Sequence, residues 1–240
     1  MMRNGFKWIL LASFCLGAYA FGAEDTRIIG YFPYWAHYSE FYPKDVRYDW
    51  VTHIHYGYFV PDESGELAIA DDADQENFET LAKTCQEKKV KLLVSIGGPG
   101  NADAMHAASS DNTVRDRLVG NILELVKQYH LSGVEVDWQP ASEDKGAYGS
   151  FLSALADKFS QESPRLLLSA TVTWADSLAS GYDADALEKA DYLTVQALDV
   201  MDENQPSVMP NASLPLTEKA LALWEDKGIP SGKLVPVVPF

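Results

Sequence analysis

Between Leu131 and Gln139 the sequence runs LSGVEVDWQ, which sets Glu135, Asp137 and Gln139 at alternate positions among Val134, Val136 and Trp138. Successive side chains of a strand point to opposite faces, so the three polar groups share one face at a spacing of about 6 to 7 Å and the apolar three share the other. Two carboxyls and an amide in a row are costly to bury unless each is hydrogen-bonded or meets a ligand. The pattern therefore reads as one wall of a site rather than the solvent side of a sheet. The amide of Gln139 has nearly the shape of a carboxylic acid and donates a hydrogen bond, but it transfers no proton.

Other residues have competing readings. His53 and His55 stand two apart, as metal ligands can, yet no third ligand motif accompanies them, and buried or hydrogen-bonded histidines are the favoured reading. Neither a metal nor a cofactor is expected. Ser95 lacks the Gly-x-Ser-x-Gly setting of a nucleophile elbow. Gly97 and Gly98 suit a strand end that a ligand or a backbone approaches closely. Tyr31, Trp35 and Tyr58 read either as stacking platforms for a ligand or as packed aromatics. Asn211-Ala212-Ser213 fits a glycosylation acceptor, and no role is assigned to it.

The elements that must carry these groups follow from periodicity. Strands are predicted near residues 26–35, 50–60, 90–97, 132–139, 165–174, 191–199 and 233–239, seven in all. Helical spacing marks Gln75 to Lys89, Thr113 to Tyr129, Tyr148 to Gln161 and Leu216 to Lys227, with Leu118, Ile122, Leu125 and Val126 as an example of an apolar stripe. Alternation of strand and helix implies an α/β fold with a parallel sheet. The expected architecture is a (β/α)8 barrel of the TIM type, stopping after the seventh strand, with two unpaired edges. Its active site would lie at the C-terminal ends of the strands, where Gln139 falls.

Composition bounds the rest. The chain has 240 residues, 47% of them hydrophobic, enough for one large domain. Residues 1–23 read as a secretory signal: Arg3 and Lys7 precede the apolar run Trp8 to Leu16, with Ala18-Tyr19-Ala20 or Ala23 as cleavage points. The run is too short to span a bilayer. The mature domain would be residues 24–240, secreted or periplasmic, with no membrane attachment once the signal is removed. It would keep Cys85 alone and therefore no internal disulfide. Loss of two bases and no acid takes the formal charge from −16 to −18. So acidic a surface makes nucleic acid and anionic membranes poor partners, and is compatible with a neutral polysaccharide.

The motifs together resemble glycoside hydrolase family 18, the chitinases and chitinase-like lectins, over about residues 27 to 240. The family's fourth-strand signature Asp-Gly-x-Asp-x-Asp-x-Glu reads here Ser132-Gly133-Val134-Glu135-Val136-Asp137-Trp138-Gln139. Ser-x-Gly-Gly closing the third strand is intact as Ser95-Ile96-Gly97-Gly98, and Tyr31, Phe32, Trp35 and Tyr58 match aromatic positions of the first two strands. The resemblance implies substrate-assisted cleavage, in which the terminal glutamate protonates the glycosidic oxygen, the substrate's N-acetyl carbonyl attacks, and the middle carboxylates orient the acetamido group. It also implies that Tyr31, Trp35, Tyr58, Ser95, Gly97, Gly98 and Asp199 contact or support the sugar.

The departures from the family pattern fall on the chemistry. Gln139 occupies the acid position, and loss of general acid catalysis forfeits about 10² to 10⁴ in rate. The family's Met-x-Tyr-Asp appears as Gln196-Ala197-Leu198-Asp199, without its tyrosine. The family's tryptophan floor would come from an eighth strand, which is not expected here. Glu135 lies too deep to replace the lost acid, and Glu143 and Asp144 read as solvated loop residues. The leading expectation is a binder of chitin or another N-acetylated glycan with hydrolysis lost or strongly impaired. An active chitinase-type hydrolase and a truncated chain without function are the alternatives.

Overall fold

The computed structural model describes residues 26–198 and 211–239. The expected leader at residues 1–23 and the candidate Asp199 lie outside the described residues. The strands are β1 (Ile29–Pro33), β2 (His53–Pro61), β3 (Leu67–Ile69), β4 (Lys91–Gly97), β5 (Gly133–Asp137), β6 (Leu167–Thr173), β7 (Tyr192–Gln196) and β8 (Leu234–Val237). The helices are α1 (Gln75–Lys88), α2 (Ala102–Ser110), α3 (Asn112–Gln128), α4 (Lys145–Ser160), the short α5 (Ala184–Leu187) and α6 (Leu214–Asp226).

One sheet runs β1-β2-β4-β5-β6-β7-β8, every neighbouring pair parallel, and β3 folds back antiparallel onto the end of β2. The seven parallel strands match the seven expected, curled into an open barrel of the (β/α)8 type. β1 and β8 end the hydrogen-bonded path, and the seam between them opens into a cavity of about 700 Å³ lined by Arg27, Tyr31, Trp35, Thr194, Gln196 and Val237, among others. β3 was not in the expected set. Its hairpin is held by Asp62, whose carboxylate accepts from the Ser64 and Glu66 amides.

Alternation along each strand sorts two environments. Ile54 and Tyr56, Leu92, Val94 and Ile96, Val134 and Val136, and Leu168, Ala170 and Val172 are buried in the hydrophobic core shared with the helices. Those helices contribute Phe78 and Leu81 from α1, Leu118 and Ile122 from α3, and Phe151 and Leu155 from α4. The intervening residues face the barrel interior: His53 and His55, Ser95, Glu135 and Asp137, Ser169, Thr171 and Thr173, and Tyr192 and Thr194, all buried. A barrel interior is ordinarily filled by Val, Ile and Leu. Here it is polar, which is sustainable because its groups bond to one another across the barrel.

The fourth parallel strand is shorter than expected. β5 ends at Asp137, so Glu135 and Asp137 point inward while Gln139 lies two residues past the strand and is exposed.

Candidate active site

The mouth of the barrel is built where β4 and β5 end together. Gly97 pairs in register with Asp137, and the Gly98 amide donates to the Asp137 carbonyl oxygen at 2.8 Å. A side chain at Gly97 would meet that carbonyl at 2.5 Å, and one at Gly98 would meet the Tyr58 ring at 2.7 Å; both residues have positive φ, +106° and +91°. The two glycines thus let the β5 backbone and the Tyr58 ring close in over the site.

Glu135 is fully buried at the centre. Its Oε1 accepts from Tyr31 Oη and Thr194 Oγ1, each at 2.7 Å, and its Oε2 accepts from Ser95 Oγ at 2.6 Å. His55 Nδ1 lies 3.1 Å from Oε1, and His55 Nε2 is 2.8 Å from the Tyr192 hydroxyl. Burial alone would push the Glu135 carboxyl up, but the charge and hydrogen bonding of His55, with the Ser95 and Thr194 hydroxyls, hold it below the usual carboxylate range.

Asp137 behaves in the opposite way. It is 6% exposed. Burial first, then repulsion from Glu135, raises its carboxyl well above the usual range, against hydrogen bonding from Thr171 and Tyr58. The acidities of two carboxyls two residues apart on one strand are therefore shifted in opposite directions, the arrangement by which acid and acceptor roles are separated. The Tyr31 hydroxyl, buried against Glu135, has its acidity suppressed by burial and by that carboxylate.

Gln139 is exposed, two residues past the end of β5. The loop acids differ from expectation. Glu143 is exposed, but Asp144 is buried, with Oδ1 2.5 Å from His106 Nδ1 and Oδ2 accepting from the Ala141 amide at 3.1 Å. Asp144 is committed to tying α2 to the loop after β5, so it is not a solvated residue turned toward the mouth.

Trp35 and Tyr31 are 45% and 38% exposed, and the Trp35 and Tyr58 rings lie 6.2 Å apart. These faces open on the seam cavity and on a second hollow of about 530 Å³ bounded by Tyr34, Trp35, Tyr58, Ile69 and Asn101. They are accessible aromatics rather than packed ones, and β3 contributes Ile69 to the wall. Of the residues singled out from sequence, the structure brings Tyr31, Tyr58, Ser95, Gly97, Gly98, Glu135 and Asp137 together, sets Trp35 at the rim and leaves Gln139 exposed past the end of β5. His53 and His55 are hydrogen-bonded histidines, His53 through Nδ1 to Thr52 Oγ1 at 2.7 Å. Thr171, Tyr192 and Thr194 were not singled out. Their signal was the polar alternation of Ser169-x-Thr171-x-Thr173 and Tyr192-x-Thr194-x-Gln196.

Comparison with known proteins places this geometry in context. Residues 27–240 match the family model described as glycosyl hydrolases family 18. Endochitinase of Manduca sexta is 29% identical over 252 residues, covering 90% of this chain and 45% of that protein. Probable chitinase 10 of Drosophila melanogaster is 27% identical over 247 residues, 89% of this chain and 11% of that protein. Human Chitinase-3-like protein 2 is 22% identical, covering 91% of this chain and 63% of that protein. Apart from the far longer Drosophila protein, the chain spans roughly half the length of these curated relatives. Among solved structures, the Group IV chitinase of Ostrinia furnacalis superposes with a TM-score of 0.78 at 22% identity, covering 90% of this chain and 67% of that one. A Glu-to-Gln mutant of the class V chitinase of Nicotiana tobaccum, in complex with NAG4, superposes with a TM-score of 0.76 at 23% identity, covering 87% and 65%.

Proposed function

The chain belongs to glycosyl hydrolase family 18, and on that ground we propose that it binds chitin or another N-acetylated glycan and does not cleave it at an enzymatic rate. The reading is carried by the match of the fourth-strand signature, which puts the Gln139 amide at the family's acid position, two residues past a strand whose Glu135 is bonded to Ser95 and Tyr31. An amide can donate a hydrogen bond to a bridging oxygen and supplies no proton. Below about pH 7 the Asp137 carboxyl keeps its proton and offers a donor to a ligand carbonyl, and Trp35, Tyr31 and Tyr58 offer faces for sugar rings. Solved relatives in complex with allosamidin, with a chitooligosaccharide and, for a Glu-to-Gln mutant, with NAG4 support ligand binding at such a fold. Of the two described loop acids after β5, Asp144 is tied to His106 and Glu143 is exposed to solvent, so neither is held over the site to take over.

Calorimetric titration with tetra-N-acetylchitotetraose, alongside a product assay on the same oligosaccharide, tests the reading. Saturable binding with product formation near background is expected. Turnover at an ordinary enzymatic rate, about 1 s⁻¹ or more, would overturn it, as would absence of binding at millimolar ligand. The same reading takes residues 1–23 as a cleaved export signal, and N-terminal sequencing of the exported chain is expected to begin at or near Glu24.

A further inference from the structure

Among the buried groups of the polar interior that the proposed binding role does not use is His55. His55 is fully buried, with Tyr31 edge-on at 5.2 Å and Tyr192 stacked at 5.9 Å between ring centroids. Its two nitrogens reach two different strands: Nε2 contacts the Tyr192 hydroxyl on β7, and Nδ1 approaches Glu135 Oε1 on β5.

Oε1 already accepts hydrogen bonds from Tyr31 and Thr194, which fills its two lone-pair directions. Nδ1 therefore comes in off the ideal hydrogen-bond line, at ion-pair distance. With Tyr31, Thr194 and Ser95 all donating to Glu135, its carboxylate faces His55 as an acceptor only, and a hydrogen on Nδ1 is the arrangement that suits the 3.1 Å approach. Glutamate rather than aspartate at position 135 adds the methylene that brings the carboxylate across the barrel to His55. The other titratable or charged groups around the ring are Tyr31 on β1, His53 on the same strand, Asp137 further along β5, and Tyr192 with Arg27 5.2 Å over its ring.

We propose that His55 is a positioning residue of the ligand site: its Nδ1–H is the counter-group that fixes Glu135 as acceptor for Tyr31, Ser95 and Thr194, and so sets the Tyr31 hydroxyl and the neighbouring Asp137 for the ligand. His55 does not touch the cavity itself and acts only through Glu135. The inference deepens the glycan-binding reading above and rests on it for the affinity test, but not for the spectroscopic one.

The spectroscopic test uses the unliganded parent chain with ¹⁵N-labelled histidine. The His55 Nδ1 resonance is expected to be that of a protonated nitrogen with a slowly exchanging hydrogen, and to lose that slow exchange in Glu135→Gln. An unprotonated Nδ1, or no response to Glu135→Gln, would overturn the proposal whatever the chain binds. The affinity test is a double-mutant cycle with tetra-N-acetylchitotetraose. Tyr31→Phe is expected to weaken binding about fivefold in the parent and less than twofold in a His55→Gln background, while His55→Gln alone costs about tenfold. Additive losses would mean that His55 only fills space, and would overturn the proposal. If the parent does not bind the probe, the glycan reading fails while the resonance test still decides the role of His55.

Discussion

At the scale of single residues, the site turns on two adjacent contrasts. Glu135 and Asp137 occupy equivalent faces of one strand, yet one is stabilised as an anion by three hydroxyls and a histidine and the other is shifted toward its protonated form by its burial and its neighbour. Glu135→Gln removes the repelling charge, so the Asp137 carboxyl is expected to return toward its ordinary range, visible as a downward shift of its carboxyl ¹³C titration. The second contrast is between Asp137 and Gln139, carboxyl and amide. Gln139→Glu is expected to raise cleavage of tetra-N-acetylchitotetraose above the parent background by about 10² to 10⁴-fold, measured by product release; no increase in a variant that still binds would place the block elsewhere, with Leu198 the first suspect. The identities of these residues were legible in the alternation of LSGVEVDWQ. The position of Gln139 was not, because alternation continues through Trp138, which packs against Tyr148, although the paired strand stops at Asp137.

At the scale of elements, the strand end that carries Gly97 and Gly98 is the part least open to substitution. Gly98→Ala places a methyl against the Tyr58 ring at 2.7 Å in a left-handed conformation. A loss of at least about 1 to 2 kcal/mol is expected, read as a lower midpoint in urea, together with weaker glycan binding because Tyr58 must move. That a strand ended at these glycines was evident from Ser-x-Gly-Gly; that they admit an aromatic ring and a neighbouring carbonyl could be learned only from the packing. The helices α1, α3, α4 and α6 were likewise evident from their apolar stripes to within a few residues. β3 was missed because three residues carry too short a pattern for period-two alternation to register. α2 had no part in the expected set: it is nine residues dominated by alanine and serine, buried through Met105, Ala108 and Ser109.

At the scale of the whole molecule, the buried carboxyls couple folding to pH in opposite directions. In the folded chain Asp137 keeps its proton up to about 7, whereas unfolded it releases it at the ordinary aspartate value. Between those values the folded state holds a proton that the unfolded state has lost, so stability falls as pH rises across the interval. Glu135 has the reverse sign: its folded value is depressed, so its contribution is present above the ordinary glutamate range and is lost as pH falls through it. Stability in urea is therefore expected to peak near about pH 4 to 5 and decline toward neutrality, with Asp137→Asn flattening the neutral limb. A parent chain that gains stability from pH 5 to 7, or an Asn variant with an unchanged slope, would contradict the assignment.

The two strands that end the sheet among the described residues, β1 and β8, also differ in what their backbones offer. The edges here are unequal. β8 carries Pro236 at its middle, a residue with no N–H to offer and one that strands tolerate where that position faces away from a partner, whereas Ile29 to Phe32 of β1 all retain theirs. Among the described residues, the β8 edge is thus poorer in backbone donors along its middle, while in β1 the proline, Pro33, falls at the strand end.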